Sequence, residues 1–108
     1  MVTYNVSVST EAKTSLRNIR DWLAENESSE VADKVVNGIL DEIDGLAKMP
    51  SRHGMVEEIK NDLIIFRRAL KWSYKIIFTI DDDELEVLVV EITHASRHPQ
   101  RLQDKFGI

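Results

Sequence analysis

The chain has 108 residues, 43% of them hydrophobic, which suits one domain with a modest core. It contains no cysteine, which excludes disulfides, thiolate catalysis and Cys-based zinc sites and fits a reducing cytoplasm. A net charge of −5 argues against a general nucleic-acid-coating role.

The opening "MVTYNVSVST" alternates Val2, Tyr4, Val6 and Val8 with Thr3, Asn5 and Ser7. That is the period of a half-buried strand, not a basic segment followed by an apolar run, so no signal peptide is expected. No apolar run approaches the ~20 residues of a membrane span, so no membrane partner is expected and the chain reads as soluble and cytoplasmic. Ser9 or Thr10 offers an N-cap, and Ala12, Leu16, Ile19 and Leu23 then mark one face of a helix. "ENESSE" interrupts the pattern. Ser28 or Ser29 caps a second helix whose apolar face is Ala32, Val35, Val36, Ile39, Ile43, Leu46 and Ala47, with Pro50 stopping it. So short a link predicts an antiparallel helical hairpin.

After the connector "SRHGMVEEIKND" the composition changes. "LIIFRRAL", "YKIIFTI" and "LEVLVVEI" have strand length and strand composition, and the acidic "DDDE" reads as a hairpin turn. The order β-α-α-β-β-β predicts an α+β domain over residues 1–108, an antiparallel sheet with both helices on one face. A turn at Asp82–Asp83 would set Tyr74 opposite Glu91 and Lys71 near His94.

Charge is segregated along the chain. Residues 60–75 carry Lys60, Arg67, Arg68, Lys71 and Lys75 against Asp62 alone, a local net of +4, and Asp81–Glu84 follow with the opposite sign. The predicted hairpins bring Arg67 or Arg68, Lys71, Tyr74, His94 and Arg97 to one end of the sheet. Alternation sends Arg67 and Arg68 to opposite faces, so only one joins the cluster without a bulge.

Four uses of "EITHASRHPQRL" compete: solvated residues with arginines paired to Glu91 or Asp104, a metal site, a phosphate-binding patch, and an acid–base site for RNA cleavage. His94 and His98 are four apart, but Pro99 and the missing third ligand weaken the metal reading. Arg offers a planar fork and Lys a point charge for an anion. For RNA cleavage, His94 would take one proton role and Arg97 or Arg68 the charge role. Trp22 reads as core edge, His53 as a surface loop residue, and Gly45 and Gly54 as loop or helix-end positions. Trp72, in a turn, divides evenly between exposure and partner contact.

Three stretches, "YNVSVSTEAKTSLRNIRDWL", "FRRALKWSYKIIFTIDDDELEVLVV" and "HASRHPQRL", in this order and spacing, resemble the ParE/RelE superfamily of type II toxin–antitoxin toxins. The most specific element is "SYKIIF", an acidic turn, then an apolar strand ending in His-x-x-Arg. The resemblance covers essentially the whole chain and is closer to the plasmid-stabilisation, ParE-like group. It implies a growth-inhibiting toxin held by a cognate antitoxin, with a homo-oligomer or a heterotetramer with the antitoxin as the assembly, and implies no cofactor or metal. ParE-like members bind and trap DNA gyrase without catalysis. RelE-like members enter the ribosome and cut mRNA, for which the positions here would be Arg68, Tyr74, His94 and Arg97. A target-binding surface would use Arg68, Lys71, Trp72, His94, Arg97 and Arg101. Such toxins are usually basic, whereas the pI here is about 5.1. That tilts the expectation toward a protein target or a weakened toxin, since docking on RNA gains from counterion release.

Overall fold

A computed structural model describes residues 2–57, 59–96 and 106. The strand β1 (Asn5–Val8) runs straight into helix α1 (Thr10–Asn26), and Ser9 is its N-cap, its Oγ accepting from the Ala12 N–H at 3.1 Å. Helix α2 (Ser29–Asp44) starts the same way, with Ser28 Oγ accepting from the Val31 N–H at 3.1 Å. Each hydroxyl satisfies a donor that the first helical turn leaves orphaned. The hairpin forms as its apolar stripes predict. Ala12, Leu23, Ala32, Ile39 and Ile43 are buried, while Leu46 is buried in a 3₁₀ turn, Gly45–Ala47, that continues α2.

Strands β2 (Arg67–Lys71), β3 (Tyr74–Asp81) and β4 (Glu86–His94) form an antiparallel meander, and the sheet order is β1-β4-β3-β2. The α+β class holds, but the sheet is mixed, because β1 joins β4 in parallel, Asn5 opposite Glu86 and Val8 opposite Val89. The parallel placement delivers Ser9 to the level of Val89 and Val90, where its N–H donates to the Val89 carbonyl at 2.9 Å. From there α1 lies directly over the upper part of β4.

Two further expectations are corrected. "LIIFRRAL" is strand only from Arg67 onward. Asn61 Oδ1 accepts from the N–H groups of Leu63 and Ile64 at 3.0 and 3.1 Å, so a side-chain turn replaces the ladder there. The β3–β4 register also differs. The loop is the four residues Asp82–Leu85, with Asp81 Oδ1 accepting from the Asp83 and Glu84 N–H groups and Leu85 left-handed at φ 54°. A bulge at Ile77/Phe78 then skips Val90, so Tyr74 faces His94 instead of Glu91, and Lys71 pairs with Tyr74.

Two apolar layers result. Ile76, Phe78, Val87, Val89 and Ile92 meet both helices on one face, and Val56, Ile59, Phe66 and Ile77 meet Val90 and Phe106 on the other.

Candidate functional site

The β2–β3 turn is two residues, Trp72 and Ser73, with Trp72 left-handed at φ 51°, a conformation that glycine or asparagine adopts more easily. The Ala95 N–H donates to the Ser73 carbonyl at 2.7 Å, tying the end of β4 to this turn. Three of the residues singled out from the sequence, Lys71, Trp72 and Tyr74, thereby gather with His94 at one end of the sheet, and the acidic loop lies at the other. Tyr74 and His94 meet edge to face, ring centres 5.5 Å apart at 78°. Burial raises the Tyr74 phenol above its usual range, so the hydroxyl stays protonated at neutral pH and can donate. Lys71 Nζ sits 4.6 Å from the centre of the Trp72 ring, a cation–π distance.

Ser96 engages one side of the His94 ring. Its Nδ1 accepts from the Ser96 N–H at 3.1 Å and lies 2.7 Å from Ser96 Oγ. An Nδ1 that accepts from a backbone N–H leaves the neutral ring's proton on Nε2. The exposed nitrogen is therefore a donor, which suits holding an acceptor and not abstracting a proton.

The arginines of β2 do not join this group. Arg67 Nη1 donates to the carbonyls of His53 at 2.7 Å and Ser51 at 3.3 Å. Arg68 pairs with Ile77 on the opposite face from Tyr74, and its Nη1 donates to the Met55 carbonyl at 3.2 Å. Both guanidinium groups brace the connector. Arg97, His98, Pro99, Arg101 and Asp104 lie outside the described residues.

Other positions were assigned differently from the sequence. Trp22 is 59% exposed, because it lies about a quarter turn off the α1 stripe, and is not core edge. His53 is half-buried, its ring edge-on to Phe78 at 5.7 Å, and burial and the charge of Arg52 hold its pKa below the usual histidine value. Glu91 is the one buried charged side chain among the described residues. Its Oε1 accepts from Ser15 Oγ at 2.5 Å and from the Ile92 N–H at 3.0 Å. It caps the stretch of β4 beyond the last β1 pair, where β3 still pairs on one side and no strand among the described residues pairs on the other.

Two supporting residues escape a motif-based reading. Gly38 in mid-α2 lies where the Trp72 indole comes down on the helix, and a Cβ there would overlap Cη2 and Cζ3 of the ring. A glycine inside a helical pattern is the signal that could have flagged it. Ser96 could have been suspected from its place two residues after His94.

Among the described residues no three His, Asp or Glu side chains gather to hold a metal, and no helix is long and apolar enough to cross a membrane. Compared with curated protein sequences, the chain has no significant match. Among solved structures it is similar to a chain of the chromosomal ParDE toxin–antitoxin system of P. aeruginosa, with TM-score 0.73 and 17% identity over 89% of this chain and all of that one. It is also similar to a chain of the RelBE2 toxin–antitoxin complex of Mycobacterium tuberculosis, with TM-score 0.63 and 19% identity over 86% of this chain and 99% of that one. A third likeness is to the archaeal RelE–RelB complex of Pyrococcus horikoshii, with TM-score 0.60 and 13% identity over 89% of this chain and 99% of that one. At these identities the structures establish the fold. The model of the ParE toxin of type II toxin–antitoxin systems matches residues 6–99, most of the chain and all of the elements just described save the first residue of β1. The chain belongs to the ParE toxin family.

Proposed function

We propose that this toxin acts by binding DNA gyrase as a non-catalytic inhibitor and that a cognate antitoxin, of the kind present in the ParDE and RelBE complexes, neutralises it. The observation that carries the reading is the state of the sheet end. Cleavage of RNA needs a base near the 2′-hydroxyl and a cation on the phosphate. Here His94 offers a donor at Nε2, and Arg68 is turned to the opposite face and bound to a backbone carbonyl. Trp72, 55% exposed, and Lys71 above it instead suit contact with a folded partner, for which an aromatic beside a cation is a common anchor. The net charge of −5 adds to this, since a ribosomal RNA target would draw less on counterion release.

The test is a supercoiling assay with purified gyrase, run beside a ribosome-dependent mRNA cleavage assay. Inhibition of supercoiling with intact transcripts supports the reading. Transcripts cut at codons in the ribosomal A site, with gyrase untouched, would replace it with the RelE-like ribonuclease.

A further inference from the structure

The far end of the sheet carries a groove that the toxin reading does not use. Strand β2 stops at Arg67, which pairs with Phe78, while β3 continues to Asp81. Because Lys71 and Tyr74 close a two-residue turn, the hydrogen-bonded pairs with β2 fall at Tyr74, Ile76 and Phe78. The next such position is Ile80. Its N–H and C=O point to the side where β2 has ended, and no strand among the described residues pairs there. The outward groups of β2 obey the same alternation, with the Arg68 N–H donating to Gly54 and the Phe66 carbonyl accepting from Val56.

Opposite this open edge, Leu63, Ile64 and Ile65 diverge from the sheet and stand 83%, 46% and 57% exposed. They are not a frayed end. Asn61 pins the turn from both sides, accepting from Leu63 and Ile64 and donating to the Phe106 carbonyl at 2.8 Å. Between the two walls is a groove of about 550 Å³ lined also by Asp81, Asp82 and Asp83 and by Arg67, the one cation there, whose guanidinium is taken up by the Ser51 and His53 carbonyls. Asp82 accepts from the Tyr4 hydroxyl and Asp81 from two backbone N–H groups, so these two carboxylates are held in place.

An open strand edge is a template for an extended segment, exposed aliphatic residues favour its apolar side chains, and fixed carboxylates favour cations. We infer that this groove docks an extended segment of another protein in which apolar residues alternate with Lys or Arg, added as a short strand beside Ile80. Three strand residues, Thr79–Asp81, line that wall, about 10 Å of strand, and Asp82 and Asp83 of the loop extend it. An acidic segment is disfavoured by the carboxylates, and so is a second copy of this chain, whose net charge is −5. The inference is independent of the toxin's target.

The probe is a fluorescent octapeptide of alternating Lys and Val, titrated with the full chain and followed by anisotropy. Binding should weaken at least tenfold when alternate peptide amides are N-methylated, which removes strand donors and keeps charge, and should vanish with Glu in place of Lys. Ile64→Ser combined with Asp83→Asn should also weaken it at least tenfold; both positions are exposed, so circular dichroism should show an unchanged fold. No binding of the Lys–Val peptide, equal binding of the N-methylated or Glu peptide, or a double variant that binds as well as the parent would each overturn the proposal. A dimer by light scattering that the double variant converts to monomer would assign the groove to a second copy and overturn it as well.

Discussion

Replacing Gly38 with alanine sets two known effects against each other. Alanine is the better helix former by about 1 kcal/mol in a helix interior, so on propensity alone the change should stabilise. The added Cβ, however, would occupy the space of the Trp72 ring. Trp72 is 55% exposed, so somewhat under half of its surface is covered where it lies. Taking ~250 Å² for a fully buried tryptophan and ~25 cal/mol per Å², the covered part is worth up to about 2–3 kcal/mol. Full expulsion of the ring therefore outweighs the propensity gain, and Gly38→Ala should lower stability by about 1–2 kcal/mol. In a Trp72→Ala background the ring is gone and only the flexible Lys71 Cε, 3.2 Å from the added Cβ, must give way, so the same substitution should raise stability by up to about 1 kcal/mol. The left-handed backbone at position 72 is common to both arms of that comparison and cancels. Urea denaturation followed by circular dichroism measures all four proteins. A stabilising Gly38→Ala in both backgrounds would show that the indole does not rest on α2.

The remaining predictions concern the edge cap, a strained residue, the site and a histidine. Glu91→Leu leaves the Ile92 N–H without its side-chain acceptor and should cost about 1–3 kcal/mol by urea denaturation; a variant as stable as the parent rules out the capping role. Met49 is left-handed at φ 47° and 64% exposed, so Met49→Gly should be neutral to stabilising, by up to about 1 kcal/mol, and a clear loss would contradict a purely conformational role. Arg97→Ala should impair toxicity more than His94→Gln, by the ~1.5–3 kcal/mol of a lost charged contact. A folded His94→Gln protein with no residual toxicity would instead make His94 a proton-transfer residue. His53 has a folded pKa below its unfolded value near 6.5, so its contribution is complete above that pH and is lost as pH falls toward the folded value. His53→Gln should therefore flatten the parent's loss of stability between pH 7 and 5, and parallel curves for the two proteins would refute it.

The helices were legible because each carries its own signals. A serine cap precedes each apolar stripe of period 3.6, and both caps and stripes appear where those signals place them. The meander was legible too, since three β-rich runs on short links leave few topologies. What failed was everything fixed by side chains acting at a distance from their own pattern. Asn61 ends the ladder before "LIIF" can join it, and Asp81 lengthens the acidic loop. With the bulge at Ile77/Phe78, that loop moves the register by about three residues. This shift is what places His94, and not Glu91, against Tyr74. The aromatic end of the site was thus readable as a neighbourhood, but its pairing was not. Arg68 could not be placed from alternation alone, because its partner is a carbonyl of the irregular connector, which has no periodicity to read.

The parallel seam between β1 and β4 also sets an order of events during synthesis. Asn5 leaves the ribosome 81 residues before its partner Glu86. At ~5–20 residues per second, β1 waits roughly 4–16 s for the strand it must join. The helical hairpin is local and can form in that interval, as can β2 against β3, but the sheet has no place for β1 until β4 exists. A nascent chain stopped in the acidic loop would expose the apolar sides of Val6 and Val8 together with the underside of α1, a surface suited to capture by a chaperone. The seam makes completion of the sheet wait for β4, so no translation product that stops before that strand carries the finished sheet end.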